Sequence, residues 1–267
     1  MEKKIIQDSE AKEIMLSILI KFAEYCEKYN LRYVLGAGTL LGAIRHKGYI
    51  PWDNDIDVWM PRPDYEKFIS LTKQNPVSEN INCLDFHEVR TFPFIKLTDK
   101  RTVLKENYLR TEQFLGIYID IFPLDGVPSD KKERKKILKK AKIYNLFFNF
   151  ANYRFNTGSS LKKKILKNIL YPFSKLISNK WVCIHYNNLC KYYNYDDCEF
   201  CAIVVWGIGE KTVFKRKYFD IFYAEFEKSK FKVPKYYDEV LKKQYGNYMK
   251  LPPENERIAH SYLAYWK

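Results

Sequence analysis

The sequence predicts an α+β protein interrupted by a basic helical insertion. Three features of the 267-residue chain point there. Up to about residue 128, helix-period stretches alternate with short apolar runs of strand character. From about 129 to 199 the helix period continues, rich in Lys and aromatics, with no strand-like run between. An apolar run returns at about 200, so the core, 1–128, is expected to resume over 200–267. No internal repeat or low-complexity linker divides the chain, which predicts a single domain over 1–267.

Each element follows from its residues. Asp8 to Tyr29 carries Ile14, Leu16, Ile18, Leu19, Phe22, Ala23 and Cys26 at helical spacing, and Asn30 ends it. LRYVLG (31–36) reads as a short strand. GTLLGAIRHKG (38–48) reads as a small-residue turn entering a short helix that stops near Gly48. YIPWDND (49–55) is a loop stiffened by Pro51, and IDVWM (56–60) is a strand. A Pro-marked turn then leads to a helix from Asp64 to Lys73. FPFIKLTD (92–99) and GIYIDIF (116–122) are strands. PLDGVPSD reads as a turn cluster that supplies the cap of the next helix, at Ser129 or Asp130. Lys131–Tyr153, Ser160–Ser178 and Lys180–Tyr193 are helical. CAIVVWGIG (201–209) is an apolar strand, and the tail holds a hairpin-like piece and a helix from about Tyr236 to Tyr245.

The formal net charge is +14. Such a surplus favours anionic partners, among them nucleotide phosphates, nucleic acid and acidic membrane surfaces, although Lys residues also simply solvate helix faces. The N-terminal stretch has no apolar core with a small-residue cleavage site, and no apolar run is long enough to span a bilayer. A cytoplasmic protein is expected, and its six Cys are then expected to be reduced. Cys183, Cys190, Cys198 and Cys201 lie close in sequence with His185. One CxxC pair suits zinc, but the remaining spacing is loose, so zinc and idle buried thiols both stay open.

The chemically informative stretch is GAGTLLGAIRHKGYIPWDNDIDVWMPRPDY (36–65). Asp55 and Asp57 flank Ile56. On a strand they share one face while Ile56 turns to the core. Carboxylates that close repel unless a cation lies between them, and Mg²⁺, a hard ion that keeps positions open for phosphate, suits them. Asp53 precedes the strand and is a weaker candidate. Asp120 interrupts the apolar run YIDIF, where an unpaired charge is costly. If its strand neighbours the Asp55/Asp57 strand, it completes a triad as a metal ligand or as the base for an acceptor hydroxyl.

Gly36, Gly38 and Gly42 would let backbone amides approach a phosphate, with Thr39 adding a hydroxyl. Arg45 and His46 follow on the same helix and can reach donor phosphate. Lys96 and Arg101 can stabilise charge on a transferring group. Taken singly, each of these has an ordinary structural explanation. An Asp-x-Asp pair is often a solvated loop, and the three cations are often surface charges. The combination is what argues for a site. Tyr49 and Trp52 can meet a quaternary ammonium face-on, although loop packing explains them as well. Ile165, Leu166, Ile169, Leu170 and Phe173 recur at helical spacing beside Lys residues, as in a helix lying on an anionic membrane or in an ordinary surface helix.

With these residues in view, GTLLGAIRHKGYIPWDNDIDVWMPRPDYEKF resembles the LicD family of phosphocholine transferases and the related fukutin-related group. FIKLTDKRT (94–102), YIDIFPLDGVP (118–128) and YGNYMKLPP (245–253) follow in the order such proteins show. The basic middle matches least. The resemblance implies a nucleotidyltransferase-like small mixed sheet flanked by helices. It carries function onto Gly38, Thr39, Asp55, Asp57 and Asp120, with Mg²⁺ (Mn²⁺ as an alternative) held by the three acids. It implies CDP-choline or another CDP-alcohol as donor, and a hydroxyl of a lipooligosaccharide, teichoic acid or capsule, free or lipid-linked, as acceptor. Asn54 departs from the family, which often carries a third consecutive Asp there. Two rivals remain at this stage. One is nucleotidyl transfer by the same metal site. The other is a non-enzymatic basic nucleic-acid-binding module, disfavoured because no helix-turn-helix, RRM or KH signature occurs.

Overall fold

The computed structural model describes residues 4–85, 92–106, 115–152, 161–257 and 262–267. Its elements in chain order are β1 (Ile5–Ile6), α1 (Asp8–Lys28), β2 (Val34–Leu35), α2 (Ala37–Arg45), β3 (Asp57–Pro61), α3 (Arg62–Gln74), β4 (Ile81–Leu84), β5 (Ile95–Asp99), β6 (Thr102–Glu106) and β7 (Tyr118–Val127). Three helices follow, α4 (Lys131–Ala151), α5 (Leu161–Ser174) and α6 (Asn179–Cys190). The chain then returns through β8 (Phe200–Ala202), β9 (Val213–Lys215), the hairpin β10 (Ile221–Phe226) and β11 (Ser229–Pro234), α7 (Tyr237–Tyr245) and β12 (Tyr262–Trp266). This is the α+β class that the sequence predicts.

The central sheet runs β2-β3-β7-β5-β4, and β8 and β9 extend it from the second half of β7. Only β3 and β7 are parallel to each other. Their register sets Asp57 level with Asp120. β1, β12 and β6 form a separate three-stranded sheet that brings the last strand against the first. α1 buries Ile14, Ile18, Leu19, Phe22 and Cys26 in the core as its spacing predicts, whereas Leu16 and Ala23 lie at the edge of that face, half-buried.

Two expectations need correction. PLDGVP is not a turn: β7 continues through it to Val127. Pro123 is tolerated because β5 pairs with β7 only as far as Ile121, so no ladder partner on that side needs an N–H from Pro123. β3 and β8 hold the extension from Pro123 onward. CAIVVWGIG is not one strand either. β8 ends at Ala202, and Val204–Trp206 turns as a short 3₁₀ helix. The buried Tyr186 hydroxyl lies 3.0 and 2.9 Å from the Val204 and Val205 carbonyls, which removes them from any ladder. Gly207, at φ +63°, completes the turn. Asp130 caps α4, its carboxylate accepting from the Glu133 amide at 2.7 Å. Ser160, the expected start of α5, lies outside the described residues.

Candidate active site

The geometry begins with alternation. Asn54, Ile56 and Val58 are buried, whereas Asp53, Asp55 and Asp57 between them are partly open. The three acids therefore share the open side of the chain as it enters β3, and Asp53 joins the pair that spacing alone picked out. Asp120 comes level with Asp57 across β3 and β7, its amide donating to the Ile56 carbonyl at 2.9 Å. The acids from two separated segments thus meet at one end of the parallel pair.

Their charges are felt. Burial pushes the Asp57 carboxyl well above the usual carboxylate range, and Asp55, Asp120 and Asp53 push it further while Lys96 opposes them. Lys96 is buried beside Asp120, donating to it at 2.6 Å. Its ammonium also lies 3.4 Å from the ring centre of Tyr118 and 4.4 Å from that of Phe92. Asp120 therefore keeps a resident counter-charge, locked by aromatic contacts on its far side.

Thr39 and the glycines act by fixing the acids in place. The buried Thr39 hydroxyl accepts from the Asp57 amide at 2.8 Å, and the Gly36 amide donates to the Asp57 carbonyl at 2.9 Å. The β2–α2 turn is tight, with Ala37 at φ +41°. A Cβ on Gly36 would lie 2.2 Å from the indole nitrogen of Trp59, a fully buried ring. A Cβ on Gly38 would meet only the carboxylate tip of Asp53, at 2.4 Å. The two sites should therefore separate. Gly36→Ala is expected to cost roughly 2 kcal/mol or more in urea unfolding by overpacking. Gly38→Ala should unfold like wild type but displace Asp53, so its deficit should be in turnover.

The predicted cations divide. Arg45 donates to the Tyr248 carbonyl at 2.5 Å and lines a cavity of about 640 Å³ beside Gly38 and Asp53. Trp52, Tyr245 and Tyr248 wall the same cavity. His46 sits beside Arg45, and burial and that charge lower its proton affinity. Arg101 is not brought to the acids. It pairs with Asp99 at 2.5 Å, at the turn after β5, and stacks on Trp266. Tyr49 is a packing residue, its hydroxyl donating to the Lys12 carbonyl and its ring against Phe226. The face of Trp52 carries the Arg257 guanidinium at 5.0 Å.

Tyr245 is the residue that sequence reasoning missed. Although the residue as a whole is 44% exposed, desolvation raises the proton affinity of its hydroxyl, and Asp57, Asp53 and Asp55 raise it further, which places the end of α7 within the field of the acids. Its one signal in the sequence was its position at the head of YGNYMKLPP. A second cavity, of about 530 Å³, lies at the far end of β3 against Pro61 and Leu124, with Arg32 and Arg216, and none of the four acids lines it.

No disulfide joins any of the six Cys, and Cys183, Cys190 and Cys201 are buried, with thiols made less acidic by that burial. Among the described residues, no three His, Cys, Asp or Glu side chains stand ready-grouped around a metal position. Among them also, no helix is long and apolar enough to cross a membrane.

A family profile described as LicD/FKTN/FKRP, nucleotidyltransferase domain, matches residues 30–150, the stretch that contributes Asp53, Asp55, Asp57 and Asp120. The chain is similar to the lipopolysaccharide cholinephosphotransferase LicD of Haemophilus influenzae, with 34% identity over 92% of this chain and 93% of that protein. It is also similar to an uncharacterized protein of Rickettsia prowazekii, 46% identical over 39% of this chain and 36% of that protein. A likeness that runs nearly end to end at this identity, and includes the acid-bearing strands, places the chain in the LicD family.

Proposed function

We propose that this protein transfers phosphocholine, or a closely similar phosphoalcohol, from a CDP-linked donor to a hydroxyl of a cell-surface glycan. The observation that carries the reading is the level pairing of Asp57 and Asp120 across parallel strands, with Asp55 and Asp53 within charge range. The name of the Haemophilus relative supports choline as the alcohol and lipopolysaccharide as the glycan class.

The donor set fits Mg²⁺, with Mn²⁺ as an alternative. It consists of hard carboxylate oxygens, and burial and the neighbouring acids disfavour the ionised form of Asp57 without a cation. Asp55, Asp57 and Asp120 would hold the ion, and its bound charge would offset that of the donor diphosphate. The remaining roles belong to the chain. Thr39 fixes Asp57 through its amide, and Lys96 donates to Asp120 and offsets its charge. Arg45, at the cavity wall, offsets charge on the departing CMP. The acceptor hydroxyl attacks the phosphorus that bears the alcohol and gives its proton to a carboxylate of this group. Catalysis is then mainly positioning and electrostatics.

The family profile's description favours one rival, nucleotidyl transfer. Product analysis separates the two. With CDP-choline, Mg²⁺ and lipooligosaccharide, the proposal expects free CMP and choline phosphate on the glycan. Release of phosphocholine with CMP left on the glycan would support the rival, and no turnover with any CDP-alcohol would end the proposal.

A further inference from the structure

The charge of this protein is not spread over its surface. Residues 131–181 contain 15 of the 46 Lys and Arg but only one of the 32 Asp and Glu, namely Glu133. Their net charge of +14 equals that of the whole chain, so the remaining residues sum to zero. A general solubilising surplus would not concentrate in one segment.

The same segment leaves apolar side chains uncovered in register. On α5, Leu161, Ile165, Ile169 and Phe173 fall at four-residue intervals along one stripe, and all are exposed. Leu176, 82% exposed, follows directly. On α4, Ile143, Leu146 and Phe147 face outward near its C-terminal end. Trp181 at the start of α6 is exposed too, and its ring lies 6.5 Å from that of Tyr144 on α4. Asn152 and Asn179 exchange hydrogen bonds at 3.1 and 2.7 Å, which holds these ends of α4 and α6 together. The apolar ends of α4 and α6 therefore gather in one region, and α5 ends only four residues of chain before α6 begins. The exposed Lys131, Lys132, Lys135, Lys136, Lys139 and Lys140 occupy the first half of α4 beside it.

We propose that this face docks on an anionic lipid bilayer, with the α5 stripe and Trp181 entering the interface and the Lys residues of α4 meeting acidic headgroups. The chemistry selects this occupant. A second copy of the chain would set +14 against +14. Nucleic acid would meet the Lys residues but leave Leu, Ile and Phe in water. An anionic bilayer satisfies both, because it joins an apolar layer to a negative surface. The orientation is useful. α4 leaves the far end of β7 and turns back along the sheet, where Asn145 donates to the Trp206 carbonyl at 3.0 Å. Trp206 in turn packs on Phe122, two residues from Asp120. The apolar ends of the helices are thereby carried toward the end of the sheet that bears the acids.

The test is flotation of the full-length protein with vesicles, and it needs no activity. Wild type should float with phosphatidylcholine vesicles containing roughly 30% phosphatidylglycerol, and not with phosphatidylcholine alone. Ile165→Glu/Ile169→Glu, which alters only exposed positions, should reduce partition at least about tenfold with an unchanged circular dichroism spectrum. Lys135→Gln/Lys136→Gln/Lys139→Gln/Lys140→Gln should abolish the preference for anionic vesicles. Failure of wild type to float at low salt would overturn the proposal. So would flotation unaffected by the glutamates, since that is adsorption by charge alone. Self-association of wild type in buffer that the glutamates abolish would assign the face to a second copy and overturn it as well.

Discussion

Asp57→Asn is expected to remove turnover by at least about 10³-fold while leaving the protein no less stable than wild type. The two halves of this expectation have one cause. The Asp57 carboxylate is burdened by its surroundings, by burial first and then by the charges of Asp55, Asp120 and Asp53. An amide of the same shape relieves that repulsion and keeps the backbone contacts to Thr39 and Gly36, which do not involve the side chain. The same change removes an anionic oxygen from the set that would grip a cation, a loss worth several kcal/mol in transition-state charge stabilisation. A structural acid would behave in the opposite way, losing stability and little turnover. Thermal unfolding alongside CMP release distinguishes the two.

The largest stability effect is expected far from the acids, at Asp125. This residue lies on the second half of β7, wholly buried, and accepts from Arg62 at 2.6 Å. Arg62 is the first residue of α3 and also donates to Glu66 and to Asn187 on α6. Burial works against the guanidinium charge, but Asp125 outweighs it and strengthens its hold on the proton. The cluster thus clamps α3 and α6 to the strand that carries Asp120. Asp125→Ala would leave a buried guanidinium whose one remaining carboxylate partner, Glu66, lies at the rim, at a cost of about 3–5 kcal/mol. For a chain of this size that is roughly a 10 °C fall in melting temperature. Replacing both partners, Arg62→Met/Asp125→Leu, should recover most of the loss, because the penalty lies in the orphaned charge. If Asp125→Ala unfolds within about 1 kcal/mol of wild type, the clamp is not what holds α3 and α6 to the sheet.

Much of the site was legible in the sequence for a single physical reason: charged residues inside apolar strands are expensive and therefore informative. Asp55, Asp57 and Asp120 stand out in DNDIDVWM and YIDIF on that ground. Their proximity was not legible, because the register of two strands far apart in sequence is set by tertiary pairing. The glycines were visible, but one of their causes was not. Gly36 answers to the Trp59 ring, which no local pattern reveals. Pro123 and Gly126 read as a turn because local propensity favours one, yet pairing with β3 and β8 overrode it. Tyr245 was hidden for the same reason as the strand register: it reaches the acids from the opposite end of the chain.

Activity turns on whether the acids at the head of β3 and β7 together take up one divalent cation. Isothermal titration of Mn²⁺ or Mg²⁺ into the purified protein, without donor or acceptor, addresses this directly. One ion per chain is expected for wild type, with a rise in melting temperature, and neither for Asp57→Asn or Asp120→Asn. Equal uptake by wild type and both variants, or none by wild type, would contradict it.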